Sequence, residues 1–281
     1  MIPPLRAKEL QVTEKQPYDP ETTVGVKMRP SRVLRRIRAG NVARVLKVNT
    51  PDATVAEVFA QSQPDAIWLC MEHVGCTYAQ VEHQIRAAKI YDVDTLLRVP
   101  RGSYSDYIRG FELDAAGLIV PHVMGAEDAT AVRDMTKFAP LGRRALDGGN
   151  ADTQFARVGL HDYMRQSNEE RFVCHQIEDP EAVAQIEAIA AIDGVDCLFF
   201  GPGDYSVALG IPGQMDHPDV DQARRTIAEV ARKAGKIAAT VCAPDQVRDY
   251  VDMGYNLLSV GADVIALAQY ADRAMSAFED L

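Results

Sequence analysis

Two carboxylates stand close behind strongly apolar runs of the sequence. Glu178 follows the run Phe172–Ile177, and Asp204 comes three residues after the run Cys197–Gly201. If these runs are neighbouring parallel strands of a barrel, both side chains lie over one mouth, where barrels of this kind carry their active sites. Two carboxylates, together with water and substrate oxygens, suit Mg²⁺, Mn²⁺ or Co²⁺ and leave coordination positions open for chemistry. The competing interpretation is that each carboxylate only caps the helix that follows it, because acidic residues are common at helix starts.

Two further strand ends carry side chains that can move protons or bind anions. His73, beside Glu72, has an imidazole that titrates near neutrality and can act as a base, although a single histidine after a strand is more often a packing or capping residue. Arg98 brings a permanent charge to a position that needs an anion or a carboxylate partner. Gly203 lets the backbone approach a ligand closely. The segment around it lacks the lysine of a phosphate-binding loop, which argues against nucleotide binding.

Lys47 allows two different chemistries. Alternation from Val45 through Lys47 to Asn49 places the lysine on one strand face, and an inward orientation would bring its amine near the barrel mouth. A buried lysine can have a lowered pKa and form a Schiff base with a 2-oxo acid. It can instead pair with Glu72, Glu178 or a substrate carboxylate and so influence which substrate binds. We favour the second role, because the neighbouring charges stabilise an enolate without a covalent bond.

The elements that must position these residues follow from the hydrophobic pattern. From Ser31 onward, short β-branched or apolar runs alternate with amphipathic stretches of helical period, which is typical of βα units around a parallel sheet. The predicted strands are Ala43–Val48, Ala66–Cys70, Thr95–Val99, Gly117–Pro121, Phe172–Ile177, Cys197–Gly201, Ile237–Val241 and Leu257–Val260. Eight strand–helix pairs predict an α/β fold, a single (β/α)8 TIM barrel. The alternative, a doubly wound open sheet, usually has fewer strands and a glycine-rich first turn, which is missing here.

The predicted helices alternate with these strands. They span about Val55–Ser62, Tyr78–Tyr91, Ser103–Leu113, Ala126–Phe138, Glu181–Ile192, Pro218–Ala234, Pro244–Met253 and Ala262–Phe278. Pro180 at the start of the fifth helix and Gly235 after the sixth are typical start and stop signals.

The domain organisation predicted from this pattern is an N-terminal arm, residues 1–30, followed by one barrel domain, residues 31–281. The arm is polar, rich in proline and without periodicity, so an extended or poorly ordered segment is expected. One connection within the barrel, from Phe138 to Phe172, is much longer than the others and contains a short helix near His161–Ser167. It is either a functional lid or subunit contact, or a tolerated insertion.

Composition excludes several classes of partner. The chain is 47% hydrophobic and 25% charged, as in an ordinary globular protein, and a net charge of −10 without a basic stripe argues against nucleic acid and anionic membranes. No apolar run approaches the ~18 residues that span a bilayer, and the N-terminus has no apolar signal segment. Five scattered cysteines without CxxC or CxxH spacing predict reduced thiols and a cytoplasmic location.

At these positions the sequence resembles the class II, metal-dependent pyruvate aldolases of the HpcH/HpaI type, from about Ser31 to the C-terminus. The resemblance depends on the order and spacing of several short motifs, each of which is weak alone. The motifs are Glu72-His73, Leu97-Arg98-Val99-Pro100, Leu113-Asp114 before Leu118–Pro121, Gln176-Ile177-Glu178, Gly201-Pro202-Gly203-Asp204-Tyr205-Ser206 and Ser259-Val260-Gly261-Ala262-Asp263.

The resemblance implies a role for each residue at the mouth. Glu178 and Asp204 would hold a divalent metal, which a 2-oxo acid chelates and which stabilises enolate charge as a Lewis acid. Arg98 would reach the enolate oxygen, where preorganised charge is usually the largest catalytic term. His73 would serve as the base.

The resemblance also implies contributions beyond the metal and the base. Asp114 of a neighbouring subunit would orient His73, and Gln176 with the backbone amides of Gly203 and Asp204 would bind the substrate carboxylate. Members of the family form trimers and hexamers, so a homo-oligomer is expected.

The leading functional prediction is reversible aldol cleavage of a 4-hydroxy-2-oxo acid to pyruvate and an aldehyde through a metal-stabilised enolate. One alternative keeps the site and changes the reaction, to oxaloacetate decarboxylation or lyase action on a CoA ester. Another is a barrel that binds without catalysis. Two departures bear on the choice: Cys70 stands where the family more often has an acidic residue, and Lys47 where it more often has an aromatic one.

Overall fold

The computed structural model describes residues 26–278 of the 281-residue chain. Eight parallel strands pair in sequence order and close into a barrel, since the first strand pairs with the eighth as well as with the second. The strands are β1 Ala43–Val48, β2 Ala66–Cys70, β3 Asp94–Arg98, β4 Gly117–Val120, β5 Phe172–Ile177, β6 Cys197–Phe200, β7 Ile237–Cys242 and β8 Leu257–Ala262. The predicted (β/α)8 barrel is confirmed, and each predicted strand coincides with an observed one apart from one or two end residues.

The helices surround the barrel in the expected alternation. They are α1 Arg32–Arg38, α2 Ala53–Gln61, α3 Tyr78–Lys89, α4 Tyr104–Glu112, α5 Ala126–Thr136, α6 Leu160–Glu170, α7 Pro180–Val183, α8 Ile186–Ala190, α9 Pro202–Ala208, α10 Pro218–Lys233, α11 Val247–Met253 and α12 Asp263–Ser276. Within residues 26–278, none of them combines the length and the apolar character needed to cross a bilayer.

Three helices differ from the prediction. Both α1 and α9 were missed, because seven residues are too few to show a helical hydrophobic period. The predicted helix Glu181–Ile192 is divided into α7 and α8, since Gln185 leaves the helical conformation between them. The Gln185 side chain instead accepts a hydrogen bond from the backbone of Ala126 at the start of α5, over 3.3 Å.

The barrel interior is filled by side chains that alternate along the strands, as small parallel barrels require. Val45, Trp68 and Phe199 belong to this inner cluster, and the rings of Trp68 and Phe199 meet edge to face with centroids 5.4 Å apart. Helix α1 closes the amino end, because its buried Val33 packs into the same cluster. The alternation that turns Val45 inward also turns Lys47 inward, at the carboxyl end.

Residues 1–25 of the predicted N-terminal arm lie outside the described residues. The last part of the arm, residues 26–30, packs on the barrel: Met28 is buried and its amide donates to Gln166 Oε1 over 3.0 Å. Arg29 Nη1 lies 2.8 Å from a carboxylate oxygen of Asp94 on β3.

The long connection before β5 is anchored to the outer layer of helices. Its short helix is present as α6, and Arg144 upstream of it is buried. Arg144 donates to the hydroxyls of Tyr163, over 2.7 Å, and Ser167, over 3.1 Å, and its guanidinium lies over the Phe138 ring at 4.6 Å. Within one chain, this part of the connection therefore packs against α6.

Candidate active site

A cavity of about 480 Å³ opens at the carboxyl ends of the strands. Its lining includes Lys47 and Asn49 at the end of β1, Ser259 on β8, and Gly203 in the first turn of α9. Because the strands are parallel and consecutive, residues distant in the sequence meet at this one mouth.

Glu178 and Asp204 are brought together at this mouth, as predicted from the two apolar runs. Glu178 follows β5 and is 1% exposed, while Asp204 lies in the first turn of α9. Burial raises the pKa of Glu178 to about 7, and the charge of Asp204 acts in the same direction. Gly201 makes room for Glu178, since a Cβ atom there would collide with Glu178 Oε2.

The hydrogen bonds to Glu178 come from neutral groups. The backbone amide of His122 donates to Oε1 over 2.8 Å, and Gln176 Nε2 donates to Oε2. Within residues 26–278 no lysine or arginine lies within ion-pair distance of this carboxylate. The one basic side chain of the described residues at that distance is His122, whose ring Nδ1 is 3.7 Å from Oε1. A buried carboxylate facing a second carboxylate is unfavourable unless a cation joins them. The donor set therefore fits a divalent metal.

The two carboxylates do not complete a coordination shell. In the described part of the chain, no three or more His, Cys, Asp and Glu side chains form a cluster able to hold a metal by themselves. Oxygen-binding cations such as Mg²⁺ retain several non-protein ligands, so an incomplete set of protein donors leaves positions for water and substrate.

Arg98 is fixed in the mouth by two neighbours on β2 and its loop. The residue is 4% exposed, and its Nε lies 3.0 Å from Glu72 Oε2. Nε and Nη2 also donate to Cys70 Sγ, over 3.3 and 3.2 Å. A thiol thus occupies the place where a carboxylate would form a stronger, charge-assisted contact. The guanidinium keeps more of its donor capacity for an anionic ligand.

His73 lies at the edge of the same constellation. Its Nε2 is 3.4 Å from Glu72 Oε2, and its side chain is 57% exposed. Glu72 therefore contacts both Arg98 and His73, and it links the predicted base to the predicted anion-binding group.

Lys47 extends from β1 into the mouth. Its Nζ lies 4.5 Å from the centroid of the Trp68 ring, whose ring also receives the Arg98 guanidinium at 5.0 Å. Burial and the neighbouring charge of Arg98 lower the pKa of Lys47.

Asp114 lies apart from these residues within one chain. It stands between α4 and β4, at the amino end of that strand, whereas His73 follows the carboxyl end of β2. Its carboxylate contacts Lys89 and, over 2.8 Å, Arg171. A role for Asp114 at the His73 of another subunit stays a prediction.

Two residues at the mouth were missed by the sequence interpretation. His122 follows β4 with a positive φ of 47°, and its ring Nδ1 is 3.1 Å from Asp179 Oδ2. Burial disfavours its charged form, but the hydrogen bond to Asp179 and the charge of Glu178 outweigh this and raise its pKa. Trp68 supplies the ring beneath the two cations. The signal for His122 was present, because it directly follows a predicted strand end, as Glu178 does.

Comparison with known proteins identifies the family of the chain. A family model described as HpcH/HpaI aldolase/citrate lyase matches residues 45–269. The 2-keto-3-deoxy-L-rhamnonate aldolase of Escherichia coli (strain K12) is 30% identical over 246 residues, which cover 87% of this chain and 91% of the relative.

Solved structures give the same result. The HpcH/HpaI aldolase from Desulfitobacterium hafniense DCB-2 superposes with a TM-score of 0.83 at 28% identity, covering 88% of this chain and 96% of the other. The citrate synthase SbnG superposes with a TM-score of 0.80 at 27% identity, with 88% and 96% coverage.

Proposed function

The chain belongs to the HpcH/HpaI aldolase/citrate lyase family and is a carbon–carbon lyase of the aldolase type, and we propose that it cleaves a 4-hydroxy-2-oxo acid reversibly to pyruvate and an aldehyde. The proposal rests chiefly on one observation: the buried Glu178 faces Asp204 without a lysine or arginine partner in residues 26–278. The guanidinium of Arg98, held by Glu72, lies at the same end of the barrel. Such a site favours a metal together with a chelating, anionic substrate.

Glu178 and Asp204 would hold the divalent metal, with Mg²⁺, Mn²⁺ and Co²⁺ all compatible with oxygen donors. When bound, the cation supplies Lewis-acid stabilisation of negative charge on the 2-oxo oxygen. Gln176 orients the carboxylate of Glu178 through its Nε2, and the backbone of Gly203 borders the space for substrate.

The remaining steps fall to Arg98 and His73. Arg98, fixed by Glu72 and Cys70, would bind the oxygen that becomes negative when the carbon–carbon bond breaks. His73 would take the proton from the 4-hydroxyl group in cleavage and return it in the reverse direction. Its neighbour Glu72, whose Oε2 lies 3.4 Å from Nε2, would orient the ring.

The test isolates enolate formation from the aldehyde. The protein is incubated with Mn²⁺ or Mg²⁺ and pyruvate in D₂O, and exchange of the methyl protons is followed by NMR. We expect exchange that chelator abolishes. In Arg98→Ala we expect a rate about two to four orders of magnitude lower, because preorganised charge at the enolate oxygen is lost. Exchange that survives chelator would refute the metal site. Exchange at the normal rate in Arg98→Ala would show that this arginine only packs.

Oxaloacetate decarboxylation is the second candidate, favoured by Cys70 beside Arg98. This reaction needs the same metal site and no aldehyde. Decarboxylation of oxaloacetate without cleavage of any 4-hydroxy-2-oxo acid would therefore replace the aldolase proposal.

Self-association is proposed on the evidence of α12 and the residues after it. The helix and its end leave six large hydrophobic side chains exposed: Val264, Ile265, Leu267, Tyr270, Met275 and Phe278. Apolar patches of this kind mark interaction surfaces, and a trimer or hexamer would cover them. Light scattering on the wild type and on Leu267→Glu tests this, with dissociation of the variant expected. The five free thiols fit a reducing cytoplasm.

A further inference from the structure

The turn after β4 has an unusual backbone conformation at His122. Its φ of 47° lies in the left-handed region, which residues other than glycine rarely adopt. The next residue, Val123, donates its amide to the carbonyl of Gln176 on β5 over 3.2 Å, so the turn stays attached to the neighbouring strand. In this conformation the amide of His122 points at Glu178 and donates to Oε1 over 2.8 Å. An unfavourable backbone conformation beside a candidate active site indicates a functional role.

Asp179, the residue after Glu178, binds the ring of His122. It stands just before Pro180, the first residue of α7, where an aspartate usually accepts a hydrogen bond from an amide of the first helical turn. Within the described residues, Asp179 makes no such capping bond. Its Oδ2 instead lies 3.1 Å from Nδ1 of His122. A carboxylate only accepts hydrogen bonds, so the ring donates its Nδ1 proton. The pair therefore joins the end of β4 to the loop after β5.

These contacts restrain Glu178 from two directions. His122 binds one carboxylate oxygen through its amide and holds the adjoining Asp179 through its ring. Gln176 Nε2 donates to the other oxygen of Glu178. Without such restraints, a buried carboxylate would turn away from the like charge of Asp204. A divalent metal binds most tightly when both carboxylates are already in place, and the neighbours of metal ligands supply that order.

The geometry does not make His122 itself a metal ligand. Among residues 26–278, His122, Glu178 and Asp204 are not grouped closely enough to hold a cation together. The ring Nδ1 lies 3.7 Å from Glu178 Oε1, and that nitrogen is bound to Asp179. The role left to His122 is therefore to orient a ligand.

We propose that His122 is a positioning residue for metal binding: its backbone amide and its ring, bound to Asp179, hold the carboxylate of Glu178 in place facing Asp204. The inference rests on the metal site of the proposed function. It assigns a role to a side chain that touches neither the metal nor the substrate, and it makes the turn after β4 part of the metal site.

The first experiment measures Mn²⁺ affinity by calorimetric titration of metal-free protein. Glycine and asparagine both tolerate a left-handed backbone, but only asparagine keeps an N–H donor for Asp179. We expect the affinity to fall about 10- to 100-fold in His122→Gly, the range for a lost neighbour of a metal ligand, and to stay close to the wild-type value in His122→Asn. Equal affinity in wild type and His122→Gly would overturn the role of His122.

Gln63→Gly is the matched control. Gln63 is also left-handed, with a φ of 55°, and its side chain also makes a hydrogen bond, to Arg32 Nη1 over 2.9 Å. It stands before β2, at the amino end of the barrel, so its replacement should leave Mn²⁺ affinity unchanged. An equal loss of affinity in Gln63→Gly would show a general effect on the fold and would overturn the role of His122.

A double-mutant cycle tests whether His122 and Asp179 act as a pair. Asp179→Ala should lower Mn²⁺ affinity by a factor similar to that of His122→Gly. The double variant should lose little more than either single variant, because one hydrogen bond joins the two side chains. Losses that multiply in the double variant would mean that the residues act separately, and the paired role would be wrong.

Crystal structures of metal-free wild type and His122→Gly separate this inference from the proposed function. We expect the Glu178 carboxylate to leave its position facing Asp204 in the variant, because the turn has lost its bond to Asp179, and to keep it in the wild type. Wild-type protein that binds no Mn²⁺ would overturn the proposed metal site, and the position of Glu178 would still decide the role of His122. An unmoved Glu178 carboxylate in His122→Gly would overturn that role.

Discussion

Charged side chains are buried in two regions of the barrel, and they are held in opposite ways. Toward the amino end of β4 and β5, Arg171 donates to Asp114 over 2.8 Å and to Asp152 over 2.7 Å, and Tyr163 donates to Asp152 over 3.0 Å. Burial disfavours the charged form of Arg171, but the charges of Asp152 and Asp114 outweigh it and raise its pKa. Opposite charges balance in this network.

The mouth at the other end is not balanced. Glu178 faces a second carboxylate, and Lys47, Trp68 Nε1 and Gln176 Oε1 lack partners within residues 26–278. A buried charge network that is satisfied internally stabilises the fold, whereas unsatisfied buried groups are stable only when something else binds them. The difference between the two regions thus separates structural charges from ligand-binding ones.

The largest effect is expected from the metal ligands. Glu178→Gln and Asp204→Asn each keep the side-chain shape but remove one of two anionic donors, so Mn²⁺ affinity should fall by more than about a hundredfold. Calorimetric titration with Mn²⁺ measures this, with circular dichroism to establish an intact fold. Glu181→Gln, at the exposed start of α7, is the matched control. Unchanged affinity in either variant would remove that residue from the metal site.

Neutralising one carboxylate in each region should change stability in opposite directions. Asp152→Asn removes one of the two carboxylates that neutralise the fully buried Arg171. The free energy of unfolding should therefore decrease by about 3–5 kcal/mol. In metal-free protein at pH 8, Glu178→Gln removes an ionised buried carboxylate. This change should increase the free energy of unfolding by about 2–3 kcal/mol. Urea denaturation of both variants is the measurement, and a loss of stability in both would erase the distinction between the regions.

The sign of the second effect follows from the pKa of Glu178. The folded value of about 7 lies above the ordinary value of 4.5, so the contribution of the bound proton to stability is complete below pH 4.5 and is lost as pH rises through 7. The gain from Glu178→Gln should therefore shrink when the measurement is repeated at pH 5.

Competition between protons and Mn²⁺ for Glu178 should change the metal affinity by a smaller factor. A metal must displace the Glu178 proton, so Mn²⁺ affinity should fall about tenfold from pH 8 to pH 6 and change little above pH 8. Titration calorimetry in buffers of different ionisation enthalpy would detect the released proton. Equal affinity at pH 6 and pH 8 would show that Glu178 is ionised in the free protein.

No covalent adduct is expected at Lys47. Burial and Arg98 lower the pKa of its amine, which would aid Schiff-base formation, yet the mouth offers a metal site and a guanidinium for the same enolate charge. Borohydride treatment in the presence of pyruvate, followed by intact-mass measurement, should leave the mass unchanged. A pyruvyl adduct mapped to Lys47 would mean that the metal is not the sole route.

Much of the fold could be predicted from the amino-acid sequence, because the spacing of hydrophobic residues is a local property of each segment. Each predicted apolar run of four to six residues is a strand in the structure, from Ala43–Val48 to Leu257–Ala262. The eight strands close into the predicted barrel. Helix α9 escaped detection, since it begins at Pro202, directly after a strand, and lasts only seven residues.

The candidate site was foreseen to a similar degree. Parallel topology requires residues that follow strands to share one edge, so Glu178, Asp204, Arg98 and Lys47 could be assigned to one mouth. The family motifs then suggested their roles, and the predicted family and enzyme class, a lyase, are confirmed. His122 was overlooked because its contacts to Glu178 and Asp179 depend on a left-handed backbone at the end of β4.

The sequence by itself determined the order of the elements and the end of the barrel at which the reactive side chains lie. Only the tertiary structure decided which charges are paired. Asp114 is neutralised by Arg171 and Lys89, whereas within residues 26–278 no lysine or arginine pairs with Glu178, and Lys47 lines the cavity without an ion-pair partner. The physical reason is that the alternation of hydrophobic and polar residues can be recognised within a single strand. Desolvation and ion pairing depend on atoms that come from strands and helices far apart in the chain.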